Sequence, residues 1–183
     1  RNKKVYGYRD KMRFELDIKT SKTFSDVKIF QPQPFQDHRG DIWTLWEKES
    51  ILPKGLEFRL CKIAKSKKNV LRGLHGDFNT WKYMSCVYGE VEFIIVDARE
   101  GSETYLKWEK YTLNDKNHVG VLVPPGFANG HLCVSDECLY HYLMSYGGGY
   151  IEPHEQKQLY WNDKRLNINW SSKNPILAKR DTP

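Results

Sequence analysis

The stretch Asn69-Val70-Leu71-Arg72-Gly73-Leu74-His75-Gly76-Asp77, followed by Trp81-Lys82-Tyr83-Met84-Ser85-Cys86-Val87-Tyr88-Gly89-Glu90-Val91, decides how this chain is read. An apolar run ends in one histidine, and the strand-like run after it carries one lysine among hydrophobic residues. A His and a Lys on neighbouring strands are able to face one cavity. That pair suits removal of a proton next to a carbonyl. The imidazole of His75 accepts the proton near neutral pH, and the ammonium of Lys82 holds the enolate oxygen.

Outward from this pair the texture stays that of a β protein. Short apolar or alternating runs recur at Val27–Phe30, Ile42–Trp46, Phe58–Ile63, Val91–Val96, Val119–Val123 and Leu139–Met144, and Gly, Asn, Asp or Pro punctuate them. Aromatic residues are abundant, as strands favour. No long helical period interrupts the series, so the pattern predicts a sandwich, a jelly roll or a closed barrel. Beyond Pro153 the character changes. Trp161-Asn162-Asp163 and Ile168-Asn169-Trp170 sit among polar residues, which predicts a short helix or irregular packing. Residues 1–11 are polar and basic and read as an extension or a leftover of expression. Residues 12–183 then form a single domain.

At 183 residues the chain is long enough for one domain with a real core. No apolar run approaches the ~20 residues of a membrane span, and Arg1–Tyr6 lacks the apolar segment of a signal peptide. Cys61, Cys86, Cys133 and Cys138 form no CxxC pair and lie mostly among apolar neighbours. They read as reduced core residues of a cytoplasmic protein. Twenty-nine basic against 23 acidic residues give a net charge of +6, but the charge is spread out. Without a basic stripe or a binding motif, nucleic acid and membrane are not expected partners; a small phosphorylated substrate is.

Pro124-Pro125-Gly126-Phe127-Ala128-Asn129-Gly130-His131 has the shape of the second metal motif of a cupin barrel, Pro-x-Gly-x-x-His, yet the ligand position is Asn129. The first motif wants His-x-His followed by Glu, and here it reads His75-Gly76-Asp77. One His and one Asp are too few for a tight transition-metal site, so neither a metal nor another cofactor is expected. Negative charge then falls to Lys82, with Asn129 as a neutral donor. Alternation places Tyr140 and Tyr142 on one strand face and His141 on the other. A phenol there is able to reprotonate a carbanion, although most of the local tyrosines (Tyr140, Tyr142, Tyr146, Tyr150) are expected to pack the barrel. His75 needs a carboxylate to fix its tautomer. Asp77, Asp97, Asp163 and Asp181 are all available, and spacing does not choose among them.

Asp37-His38-Arg39-Gly40, Val70-Leu71-Arg72-Gly73-Leu74-His75, Lys82, Cys86–Val91, Val96-Asp97-Ala98-Arg99 with Ser102, Pro124–Gly130 and Arg180-Asp181 come in one order. Together they resemble the dTDP-4-dehydrorhamnose 3,5-epimerase family of cupins, from about Phe24 to Asp181. The resemblance implies a jelly-roll homodimer that epimerises nucleotide-linked 4-keto-hexoses without metal. By matching motifs, His75 resembles the base, Asp181 its carboxylate, Lys82 the group beside the enolate and Tyr142 the acid. Arg39, reaching across the dimer, and Arg72 resemble diphosphate contacts. Asn129 stands where the family has a second cavity histidine.

The chain also departs from the family. Gly76-Asp77 replaces a Tyr-Gln, and Ile42 and Thr44 replace a Phe and a Glu that help hold thymidine. Three added glycines, Gly147 to Gly149, leave open whether Tyr146 or Tyr150 lines the site, and Tyr150 is taken as the substrate contact. Arg-Gly-Asp-Ile-Trp-Thr and Leu-His-Gly-Asp are closer to the branch acting on GDP-linked 4-keto-6-deoxy-heptoses. The expected activity is therefore epimerisation at carbon 3, carbon 5 or both of a nucleoside-diphosphate-4-keto-6-deoxy sugar, GDP-linked before dTDP-linked. Its rivals are a keto-sugar isomerase on the same barrel and a sugar-nucleotide-binding cupin without catalysis.

Overall fold

Alternation of inward and outward side chains builds two facing antiparallel sheets in this computed structural model, which describes residues 3–6, 15–47 and 53–183. The strands are β1 (Lys3–Tyr6), β2 (Glu15–Thr20), β3 (Lys28–Gln33), β4 (Phe35–Asp37), β5 (Gly40–Ile42), β6 (Leu60–Lys67) and β7 (Leu71–Gly76), and then β8 (Thr80–Tyr88), β9 (Glu90–Asp97), β10 (Trp108–Asn114), β11 (Gly120–Val123), β12 (Phe127–Cys133), β13 (Glu137–Tyr146) and β14 (Lys157–Gln158). One sheet has the order β1-β2-β3-β11-β8-β13-β6, and the facing one β10-β9-β12-β7-β14. β4 and β5 form a separate hairpin. This is the all-β jelly roll that the sequence pattern predicts. Lys3–Tyr6, within the segment read as an extension, pairs with β2 at the sheet edge.

Between the sheets lies a core of Met84, Cys86, Val91, Phe93, Ile95, Val121, Phe127 and Tyr140. The outer face of the five-stranded sheet is covered by the C-terminal segment, where Leu159, Leu166 and Trp170 pack on Leu71, Leu74 and Ile94. That segment is irregular apart from a 3-10 turn at Lys179–Asp181, again as its composition predicts. It carries the chain's last residues back across β7. On the outer face of the seven-stranded sheet Leu16, Phe30, Leu122, Tyr83 and Leu143 from five of its strands form a further buried cluster, with Phe58 and Trp81 at the margin. Among the described residues no helix is long and apolar enough to cross a membrane.

Two local expectations change. The run Ile42–Trp46 is not a strand beyond Ile42, because Trp43 turns away to stack on His118 with ring centroids 3.9 Å apart. Cys61 is exposed, whereas Cys86, Cys133 and Cys138 are buried and all four are free thiols. Strand parity explains the exception: on β6 the inward positions are Leu60, Lys62, Ala64 and Ser66, and Cys61 falls on the other face.

Candidate active site

The two sheets enclose a cavity of about 270 Å³ at the β6–β7 side of the barrel. That volume sits just below the ~300–1,000 Å³ typical of small-molecule sites.

His75 on β7 and Lys82 on β8 both line it. Their strands follow each other in the chain but belong to opposite sheets, so the two side chains face each other across the cavity instead of lying side by side. The four open carboxylates resolve to one. Asp181 Oδ1 lies 2.6 Å from His75 Nε2, and Asp181 is buried with only 3% of its surface exposed. A buried carboxylate on one ring nitrogen fixes the tautomer and stabilises the imidazolium once the other nitrogen takes a proton. Asp77 goes elsewhere. Its Oδ1 accepts from the backbone N–H groups of Asn79 and Thr80, and its Oδ2 stands 3.8 Å from Lys82 Nζ. Asp97 is held by Arg99, Ser102 and Thr104, and Asp163 by Arg165.

Lys82 is buried, and that burial pushes its ammonium pKa below the usual lysine range, with Asp77 opposing the shift. Its Nζ donates to Asn129 Oδ1 at 3.5 Å. The oxygen of that amide is thereby engaged, which leaves its donor end as what Asn129 has for a ligand. On the wall formed by β13, Tyr140 and Tyr142 share the inward face, while His141 points out to Ser85 and Cys61. Burial raises the phenol pKa of both. For Tyr142 the cations Lys62 and Arg72 pull in the opposite direction. Tyr140 is more deeply buried, and its hydroxyl has no partner among the described residues.

Arg72 and His75 are three residues apart, so a regular strand would put them on opposite faces. β7 is not regular. Asn129 on β12 pairs with His75, and His131 pairs with Arg72, so two steps on β12 match three on β7. This bulge turns both side chains into the cavity. Gly73 makes it possible. Its φ is +124°, and a Cβ there would stand 2.5 Å from Gly130 Cα. Gly73→Ala is therefore expected to lose at least about 2 kcal/mol of stability, from backbone strain plus the clash. It should lose activity as well, because the bulge aims both residues; a denaturation midpoint and a turnover assay check the pair of effects.

Of the eight site residues expected from sequence, seven meet in this one cavity: His75, Lys82, Asp181, Tyr142, Arg72, Asn129 and Tyr150. Tyr150 lines it and Tyr146 stacks edge-on behind, with centroids 5.8 Å apart. Arg39 does not join them. It sits at the tip of the exposed β4–β5 hairpin, forked onto Asp37 at 2.6 Å. Ile42 and Thr44, on or just after that hairpin, also stay outside the cavity. Lys62, Gln156, His131 and Arg180 line it unforeseen. Lys62 donates to the Tyr150 hydroxyl at 3.0 Å. It had a legible signal, a lysine on the same strand parity as Leu60 and Ala64. Gln156 had none. Among the described residues no three His, Cys, Asp or Glu side chains are grouped as a metal would need.

A jelly-roll barrel with an imidazole–carboxylate pair, a buried lysine and inward phenols around one small cavity defines a proton-moving enzyme of the cupin epimerase class. Comparison with known proteins supplies the family. The family model described as dTDP-4-dehydrorhamnose 3,5-epimerase matches residues 21–183. A dTDP-4-dehydrorhamnose 3,5-epimerase from Shigella flexneri is 34% identical over 162 residues, covering 85% of this chain and 88% of the relative. A dTDP-4-dehydrorhamnose 3-epimerase from Streptomyces niveus is 33% identical over 156 residues, covering 82% and 74%. The crystal structure of a dTDP-6-deoxy-D-glucose-3,5-epimerase from Legionella pneumophila Philadelphia 1, in complex with dTDP-4-keto-L-rhamnose, superposes with a TM-score of 0.83 at 27% identity, covering 91% of this chain and 89% of that one. The chain belongs to the dTDP-4-dehydrorhamnose 3,5-epimerase family and is a nucleotide-sugar epimerase of the 3,5- or 3-type.

Proposed function

We propose that this chain epimerises a nucleoside-diphosphate-4-keto-6-deoxy sugar next to its ketone, with a GDP-linked heptose as the favoured substrate and a dTDP-linked hexose as the alternative. The observation that carries the chemistry is the His75–Asp181 pair at 2.6 Å, set across one cavity from the inward tyrosines. The 4-keto group acidifies the hydrogens at carbons 3 and 5. His75 removes one, and Lys82 with Asn129 stabilises the oxyanion, a contribution of about 3–4 kcal/mol for one such donor. Tyr142 returns a proton from the opposite face, which inverts the centre. A second reading gives that role to Tyr140, because its buried hydroxyl lies on the same face without a partner among the described residues. Arg72, at the cavity edge with its Nε on Ser66 Oγ, grips the diphosphate.

Arg39 reaches a diphosphate only in the cavity of a second copy, so the working unit is a homodimer, and the compartment is the cytoplasm. An NMR time course with candidate 4-keto substrates in heavy water tests the activity. Deuterium entering an inverted product supports it; a shifted carbonyl points to an isomerase, and no exchange at all to a binding protein.

The nucleotide is a separate question. The relatives named above act on dTDP sugars or, in one structure, hold one, as their names state. Ile42 and Thr44, by contrast, remove an aromatic surface and a carboxylate from the segment the resemblance assigns to thymidine. A buried polar group left without its partner costs about 1–3 kcal/mol. GDP is therefore expected to bind at least several-fold more tightly than dTDP in a calorimetric titration. Tighter dTDP binding would return the substrate to the dTDP series and leave the proton chemistry as it stands.

A further inference from the structure

Lys82 stabilises an oxyanion only as an ammonium, yet it is buried, and a buried ammonium with no counter-charge sheds its proton. Asn129, which accepts from its Nζ at 3.5 Å, is neutral. The ionisable groups on the elements packed around Lys82 are engaged elsewhere, uncharged or of the wrong sign. β7 brings the cation Arg72 and also His75, whose partner is Asp181. β12 brings His131, which burial keeps neutral. β13 brings the phenols Tyr140 and Tyr142, and β6 a second cation, Lys62, which donates to Tyr150. β11, the other sheet neighbour of β8, carries no ionisable residue.

That leaves Asp77. Its Oδ1 is fixed by the backbone N–H groups of Asn79 and Thr80, at 2.9 and 2.7 Å, and its Oδ2 stands 3.8 Å from Lys82 Nζ. The two side chains are only 6% and 11% exposed, so solvent ions screen the pair little. We infer that Asp77 is a positioning residue for the reaction: its carboxylate holds Lys82 in the ammonium form that stabilises an enolate oxygen, and so sets the alkaline limit of turnover. This rests on the epimerase reading above, in which Lys82 faces the enolate. Asp77 also stands where the resemblance breaks, in the Gly76-Asp77 that follows the base, so the pair is a feature of this chain and not of the pattern it matches. Burial pushes the ammonium pKa of Lys82 below the usual lysine range, and among the described residues Asp77 is the only group whose charge draws it back up. Neutralising Asp77 lets it fall further, and the alkaline loss of activity then begins at lower pH.

The experiment follows two readouts against pH. One is kcat/KM on the GDP- and dTDP-linked 4-keto-6-deoxy sugars. The other is the NMR signal of the Lys82 side chain in lysine-labelled protein, assigned with Lys82→Arg. In wild type the titration of Lys82 should coincide with the alkaline limb of kcat/KM. Asp77→Asn keeps an oxygen for the N–H groups of Asn79 and Thr80 and removes only the charge. Titration and limb should then move down together by about one to three pH units. Between the new limb and the old one the loss should grow about tenfold per pH unit, and it should shrink as the pH falls. In Lys82→Arg, whose guanidinium stays charged, the same substitution at Asp77 should no longer move the limb. A rate that drops equally at every pH in a folded Asp77→Asn, with the limb in place, would mean that Asp77 only holds the turn, and would overturn the inference. A wild-type limb that does not follow Lys82 would overturn it too, and that result needs no variant. Failure of wild type to epimerise either sugar would instead overturn the epimerase reading, and the role of Asp77 with it, even if the Lys82 signal titrates as expected.

Discussion

His75→Ala should lower turnover by at least ~10²–10⁴-fold while the fold stays intact. The size follows from what the side chain does. Among the described residues it is the one imidazole in the cavity with a buried carboxylate behind it, and Asp181 at 2.6 Å is placed to support the cation formed when the other nitrogen takes a proton. His131, the other lining imidazole, is unsuited to replace it, because its burial opposes protonation. The fold survives because His75 is only partly buried and its strand is held by β12 on one side and β14 on the other. Asp181→Asn keeps a hydrogen-bond partner and removes the charge, so its turnover should fall between wild type and His75→Ala. Circular dichroism and steady-state rates on the two variants check the pair. Wild-type turnover in a folded His75→Ala would end the mechanism.

Much of this was legible in the sequence, for identifiable reasons. Val91–Val96 is buried almost throughout and reads as a strand from its composition alone. Alternation predicts that Tyr140 and Tyr142 face one way and His141 the other, because a strand has only two faces. Spacing does not predict that His75 meets Asp181. They are 106 residues apart, and the meeting depends on the C-terminal segment crossing β7 after covering the five-stranded sheet. Nor does it predict that Arg72 and His75 share a face, since that needs a bulge, and a bulge leaves no mark beyond a glycine such as Gly73. Arg39 is the converse case. Its motif is plain in the chain, yet it sits on a hairpin away from the cavity, forked onto Asp37, and only the proposed homodimer would give it a diphosphate to bind.

Tyr142→Phe should separate the two halves of the reaction. If Tyr142 only returns the proton, His75 still removes one, and solvent deuterium still enters the substrate with retained configuration. Inversion falls by the ~10²–10⁴-fold expected for loss of a general acid. The local electrostatics favour Tyr142 for this task. It is half-buried, so the substrate reaches it from the cavity and solvent is able to restore its proton. Lys62, its register partner on β6, lowers its pKa against the rise caused by burial. Tyr140 has no such cation to offset its burial; its pKa stands well above the ordinary value and its hydroxyl is out of reach of solvent. Tyr140→Phe should therefore leave exchange and inversion coupled, with a smaller change in rate. The opposite pattern, inversion lost in Tyr140→Phe and kept in Tyr142→Phe, would move the acid two residues along β13 and show that the cavity opens toward Tyr140 when the sugar binds. If exchange and inversion fall together in both variants, neither phenol acts as a separate acid, and the proton must then return through His75 itself, which cannot invert a centre from one face.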